Sequence, residues 1–120
     1  MANINERRSE RRHTLNQPIS VKIMFASENP HLLGKRIQGS TADISASGVR
    51  ILLNMNLPVD STIDITVTLN DSQQYFLAGK VRWTEAANIP GMYHTGISLQ
   101  DLFNTDTDFK RWKEAIKALR

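Results

Sequence analysis

Thr62-Ile63-Asp64-Ile65-Thr66-Val67-Thr68-Leu69 alternates polar and apolar residues without a break. Side chains leave a strand on opposite faces in turn, so Ile63, Ile65, Val67 and Leu69 predict one buried face. Upstream, Ile19, Val21, Ile23 and Phe25 alternate in the same way with Ser20, Lys22 and Met24. Pro18 precedes them and fits the first position of a strand, where a missing N–H costs little. Ser27-Glu28-Asn29-Pro30 is turn chemistry, and a weaker strand follows over about residues 35–44, with Gly39-Ser40 marking a bulge. Gly48 opens a strand over residues 49–53, and residues 54–60 form a loop carrying Pro58. Downstream, Asn70-Asp71-Ser72 turns the chain into a strand over residues 75–84, and residues 88–91 turn it into one over 93–99. Six short strands with no helix between them predict a mainly β fold, a six-stranded antiparallel barrel.

The C-terminal end changes period. Phe109, Trp112, Ile116 and Leu119 recur at helical spacing and predict a helix over about residues 105–119, packed on the barrel with Trp112 inward. Thr105-Asp106-Thr107-Asp108 offers N-cap oxygens, and Lys113, Lys117 and Arg120 suit the negative end of the helix dipole.

Composition removes several classes of function. A chain of 120 residues, 40% hydrophobic and 22% charged, predicts one core-forming domain. It has no cysteine, which excludes disulfides, thiolate metal sites and cysteine nucleophiles. The longest apolar runs, Ile23-Met24-Phe25-Ala26 and Tyr75-Phe76-Leu77-Ala78, fall far short of the ~20 residues of a membrane span. No apolar segment follows the basic residues near the start, so neither a secretory nor a twin-arginine export signal is expected. The expectation is a soluble cytoplasmic protein without membrane insertion. His13, His31 and His94 are scattered, with no ligand pair, so no metal or cofactor is expected. No nucleophile elbow and no phosphate-binding glycine loop are present, and nucleophile, base and orienter cannot be assembled. An enzyme is not expected.

The charge is placed unevenly. Net charge is +3, and residues 6–12, Glu-Arg-Arg-Ser-Glu-Arg-Arg, carry four positive and two negative groups, hence +2 of it. Residues 1–17 lack apolar periodicity and predict a flexible basic arm; residues 18–120 form the barrel and its helix. One basic arm on a nearly neutral domain suits a small polyanion rather than duplex DNA. Arginine brings a planar fork for phosphate oxygens or the guanine O6/N7 edge, and a flat face that stacks on a base.

Asp43-Ile44-Ser45-Ala46-Ser47-Gly48 is the second constellation. With Ile44 in the core, alternation predicts Asp43 and Ser45 side by side on the outer face, and Gly48 permits a sharp reversal or a close ligand approach. The plain alternative is an Asp/Ser turn whose side chains bond their own backbone. An aspartate can accept from both N1–H and N2–H₂ of guanine, an edge that no other base presents as two donors. Carboxylate, hydroxyl and arginines together complement a guanine nucleotide with exposed phosphates.

These residues resemble a known family. Glu6-Arg7-Arg8-Ser9-Glu10-Arg11-Arg12, followed by Pro18 and the first strand, is similar to the Arg-x-x-x-Arg start of a PilZ domain. Asp43-x-Ser45-x-x-Gly48 resembles its second signature, (Asp/Asn)-x-Ser-x-x-Gly. Gly79-Lys80-Val81-Arg82-Trp83 and Gly96-Ile97-Ser98-Leu99 resemble its last two strands. The resemblance implies a receptor for bacterial cyclic di-GMP built on a six-stranded antiparallel barrel. It gives Arg8 and Arg12 phosphate contact and guanine stacking, Asp43 and Ser45 the guanine edge, and Gly48 the turn. Arg7 occupies the position that in this family favours an intercalated dimer of the ligand. Arg7 and Arg11 also fit the spacing, but the gap from Arg12 to Pro18 favours Arg8 and Arg12. Trp83 either stacks on a base or packs in the core, and Arg50 supplies a further contact. With no effector domain in the chain, output passes through contact with an unidentified effector protein, in motility, pili or exopolysaccharide regulation. The rival expectations are a single-stranded nucleic-acid binder on a small barrel and a ligand-independent adaptor. The first needs several exposed aromatics, whereas aromatics are 7% of the chain and alternation buries Phe25 and Phe109.

Overall fold

Ile19, Val21 and Ile23 lie opposite Val67, Ile65 and Ile63, and none of the six is more than 1% exposed. This pairing joins β1 (Pro18–Phe25) to β4 (Thr62–Thr68) and closes a barrel. The computed structural model describes residues 12–26, 30–69, 72–100 and 107–119. The other strands are β2 (Arg36–Ile44), β3 (Gly48–Leu53), β5 (Gln74–Ala86) and β6 (Tyr93–Gln100), and the order around the barrel is β1-β2-β3-β6-β5-β4. Every neighbouring pair is antiparallel. Closure leaves no sheet edge, and the inward side chains fill the interior as a packed core. Each buried aliphatic side chain contributes about 1.5–3 kcal/mol of transfer free energy, set against the chain entropy lost on folding.

The six predicted strands are all present, and two local expectations change. Phe25 is 54% exposed, because the β1–β4 register shifts between Ile23 and Phe25 and turns Phe25 off the buried row. The irregularity of β2 falls between Thr41 and Asp43 rather than at Gly39-Ser40. Gly39 instead admits the backbone of β3, whose Leu52 carbonyl oxygen would lie 2.5 Å from any Cβ placed there.

A helix, α1 (Phe109–Lys117), crosses the end of the barrel that carries the β2–β3 and β4–β5 turns. The predicted start near residue 105 lies outside the described residues. Phe109, Trp112 and Ile116 are buried, and Trp112 is wholly so. Its ring meets Tyr75 edge-on with centroids 5.6 Å apart, and its Nε1–H donates to the Ser45 carbonyl at 3.1 Å. Asp108 stands at the N-cap position without capping through its side chain. Its carboxylate accepts from the Phe76 N–H at 2.8 Å, and its own N–H donates to the Phe76 carbonyl at 2.8 Å. The pairing of β5 with β6 begins only at Ala78, so Asp108 serves Phe76 where a strand partner is missing. Arg111 reinforces the joint, donating to the Gln74 carbonyl at 2.7 Å with its guanidinium 4.2 Å from the Tyr75 ring centroid.

Trp112→Ala is expected to destabilise the protein by about 3–5 kcal/mol in urea unfolding. Trp112→Phe, which keeps most of the volume but leaves the Ser45 carbonyl without its donor, should lose about 1–3 kcal/mol. Equal midpoints for wild type and Trp112→Ala would show that α1 does not anchor this end of the barrel.

Candidate functional site

Val49, Ile97 and Val81 face one another across β3, β6 and β5, and all three are buried. Because side chains alternate, that inward row dictates an outward one beside it. Asp43 of β2 pairs with Arg50 of β3, Arg50 with Gly96 of β6, and Gly96 with Trp83 of β5. These four residues cross four strands as one outer row. They border a cleft of about 600 Å³ that also takes in Arg12, Ser45, Gly48, Arg82 and Ser98.

Trp83 reaches the outside through a bulge. By strict alternation it shares the inward face of Val81, yet β5 carries one extra residue, Arg82, against β6 between Val81 and Trp83. The extra residue reverses the side to which Trp83 points. The indole, 41% exposed, lies flat over Gly96, where any Cβ would overlap its Cε2 and Nε1 atoms. The choice left open for Trp83 is thereby decided against core packing. Gly96 gives the indole its seat.

Asp43 is clamped from two sides. Arg12 Nη1 donates to Oδ1 at 3.0 Å and Arg50 Nε donates to Oδ2 at 2.9 Å. The Asp43 side chain is 13% exposed, against 67% for Arg12 and 39% for Arg50. Exposed ion pairs contribute roughly 0–1 kcal/mol, so the Arg12 contact opens easily. Arg12 is brought there by backbone pairing. His13 and Ile44 exchange N–H···O bonds of 2.8 and 2.9 Å, Gln17 and Thr41 are bonded through backbone and hydroxyl, and the Thr41 hydroxyl donates to the Leu15 carbonyl. Residues 12–17 of the predicted arm thus run beside β2. Arg7, Arg8 and Arg11 lie outside the described residues.

Ser45 departs from the expected outward pair. β2 ends at Ile44, and the residue after it enters the reversal instead of continuing the alternation. Ser45 is 3% exposed, and its N–H and hydroxyl both donate to the Gly48 carbonyl, at 2.8 and 3.2 Å. The turn is thus partly the plain serine turn weighed as an alternative, although Ser45 still lines the cleft wall. Its oxygen keeps acceptor capacity there. Gly48 is fixed by space: a Cβ would lie 3.0 Å from the Ile97 carbonyl oxygen. The reversal is held from outside by the Leu99 N–H on the Ser47 carbonyl at 2.9 Å and by Trp112 on the Ser45 carbonyl. A rigid turn therefore aims Asp43 into the cleft.

The site residues drawn from the sequence that fall within the described residues, Arg12, Asp43, Ser45, Gly48, Arg50 and Trp83, all line this one cleft. Arg82, also on the lining, is missing from that set. No periodic signal marks it, since Val81-Arg82-Trp83 reads as plain apolar–polar–apolar alternation and the extra residue shows only in the pairing with β6. Among the described residues no cluster of His, Cys, Asp and Glu could hold a metal ion. No described helix is long and apolar enough to cross a membrane.

Chemically, the cleft offers three guanidinium groups, one carboxylate and one open aromatic face. That set suits a planar heterocycle bearing both hydrogen-bond donors and anionic charge. A closed antiparallel barrel with such a cleft on its outer wall is the build of a small ligand-binding domain. The chain belongs to the PilZ family: the family model described as PilZ domain matches residues 6–114. Among solved structures it is similar to the inhibitor of motility MotI/DgrA of Bacillus subtilis, with a TM-score of 0.66 and 13% identity over 92% of this chain and 49% of that one. The chain thus spans about half the length of the Bacillus protein. It is similar to the PilZ domain of Escherichia coli YcgR with c-di-GMP, with a TM-score of 0.65 and 13% identity over 94% of this chain and 91% of that one. It is also similar to the PilZ domain of CeSA from a cellulose-synthesizing bacterium, with a TM-score of 0.54 and 18% identity over 88% and 97% of the two chains. No curated protein matches the sequence.

Gly96→Ala is expected to dislodge the indole from β6 and to destabilise the fold by about 1–3 kcal/mol. Acrylamide quenching of tryptophan emission, measured with the Trp112→Phe substitution so that Trp83 alone reports, should rise. Unchanged quenching would mean that the ring does not rest on Gly96.

Proposed function

We propose that this domain is a receptor for cyclic di-GMP that closes its basic arm over the cleft when the ligand binds. The observation that carries the reading is the convergence of Arg12 from the arm with the Asp43, Arg50 and Trp83 row on one outer wall. Asp43 accepts the N1–H and N2–H₂ edge of one guanine, with Ser45 beside it and Gly48 keeping the approach open. Trp83 stacks on a base. Arg8 and Arg12 take the phosphates and cover a guanine face, Arg50 adds a contact, and Arg7 favours a second, intercalated ligand molecule.

The double clamp on Asp43 sets the order of events. A guanine edge has to replace at least one guanidinium on the carboxylate, and Arg12, the more exposed of the two, is the one released at least cost. Once freed, it is close to the incoming phosphates. Charge-assisted hydrogen bonds of roughly 1.5–3 kcal/mol each offset the ordering of arm residues. The folded arm then makes a new surface, read by an effector protein in the cytoplasm; the chemistry is binding, without catalysis or a cofactor.

Exposed Phe25 weakens one argument against a nucleic-acid binder, but Phe25 sits on β1 where it pairs with β4 and is not on the cleft lining. Bases of a single strand tracked along the cleft would find, among the described residues that line it, Trp83 as the one aromatic platform.

Calorimetry should show that Arg8→Ala or Arg12→Ala abolishes cyclic di-GMP binding, and that Asp43→Ala weakens it at least tenfold. Melting temperatures should move little, since these side chains contribute little to the core. Full affinity in either arginine variant would remove the assignment. Tight binding of oligonucleotides at physiological salt, with none of the dinucleotide, would favour the nucleic-acid reading instead.

A further inference from the structure

Arg82 is the unmatched residue of the β5 bulge, and the same extra residue that swings Trp83 outward places Arg82 directly before it on the cleft side. Its side chain is exposed, and among the described residues it has no ion pair. The other two cleft cations, Arg12 and Arg50, share the single carboxylate of Asp43. Without ligand, then, one wall of the cleft holds two cations around an anion, and the other holds a cation with no such neighbour. Gly96 and the indole lying on it separate the two walls.

From this asymmetry we propose that Arg82 contacts the ligand directly, gripping a phosphate at the Trp83 end while a guanine edge meets Asp43 at the other. The inference rests on the cyclic dinucleotide reading above and adds to it a contact outside both sequence signatures. Two features favour a phosphate at this place. A guanidinium with its fork unengaged has nothing to release before it binds, unlike Arg12 and Arg50. It also stands beside an aromatic face, so a base stacked on Trp83 carries its own phosphate toward Arg82. The bulge thereby installs a stacking surface and an anion anchor with one inserted residue, which explains why neither is visible as a spaced motif.

The test is calorimetric titration of cyclic di-GMP into wild type, Arg82→Gln, Arg82→Lys and Lys22→Gln, each over a range of salt concentrations. Lys22 lies on β1, on the wall opposite the cleft, and its replacement removes the same charge. Arg82→Gln is expected to bind about tenfold more weakly. Its plot of log affinity against log salt should be shallower than that of wild type, because one salt-screened charge contact is gone. Arg82→Lys should keep the salt slope while losing part of the affinity, because the charge stays and the fork is lost. Lys22→Gln should match wild type. Wild-type affinity and slope in Arg82→Gln would overturn the inference and leave the dinucleotide reading standing. Equal weakening in Arg82→Gln and Lys22→Gln would overturn it too, by showing a bulk charge effect. Absence of binding by wild type would instead remove the reading itself, and this contact with it.

Discussion

Burial of Val49, Ile97 and Val81 in one inward row fixes the register of β3, β6 and β5, and most of the outer wall follows from it. Slipping any of these strands by one residue would expose its whole apolar set, so the register is held by the full hydrophobic stake of the barrel. Asp43, Arg50, Gly96 and Trp83 take their places on the outside as a consequence. The bulge is the departure from alternation between β5 and β6, and it is tolerated because β5 continues to Ala86 and stays paired with β6 beyond it. The packed core lies on one face of the sheet and the cleft on the other, joined by backbone geometry.

The cleft is electrostatically pre-engaged. Asp43 would sit as a lone anion in a half-closed pocket were it not for Arg12 and Arg50, and each of its oxygens has a guanidinium donor within 3.0 Å. Such an arrangement stabilises the carboxylate without fixing Arg12, which is two-thirds exposed. On the proposed reading the clamp also suppresses weak binders: a ligand has to supply donors to the carboxylate and an anion to the displaced guanidinium together. A neutral heterocycle meets only the first demand, and inorganic phosphate only the second. On the reading proposed above, selectivity for a molecule carrying both arises from a salt bridge that has to be exchanged, not merely approached.

The barrel, its strand count and the helix could be read from the chain because period-two and period-3.6 patterns report directly which faces are buried. Ile63, Ile65 and Val67 are buried as the alternation requires, and so are Phe109, Trp112 and Ile116. Local breaks were not legible, since a bulge leaves no periodic trace. Phe25 falls after a register shift and turns outward, and Trp83 falls after an inserted residue and does the same. The Asp108 carboxylate looked like a cap because its sequence neighbours are cap residues; it serves Phe76 because β6 stops short of that part of β5, a long-range fact. Ser45 marks the boundary between the two kinds of information. Its type and spacing announced a turn or a ligand contact, while its 3% exposure depends on where β2 happens to end.

That boundary residue is also where the two halves of the molecule meet. The Ser45 carbonyl is held by Trp112 from α1, its N–H and hydroxyl by Gly48, and the following turn by Leu99 of β6. A turn restrained from a helix and a strand at once cannot drift to suit a ligand, so Asp43, two residues before it, is presented in one orientation. Pre-organisation of this sort lowers the ordering entropy that a bound ligand would cost at this wall. On the proposed reading the barrel wall is the fixed partner and Arg12 the adaptable one. An exposed guanidinium such as Arg12, tethered by the His13–Ile44 bridge yet free at its tip, is the part able to change partners without disturbing the core.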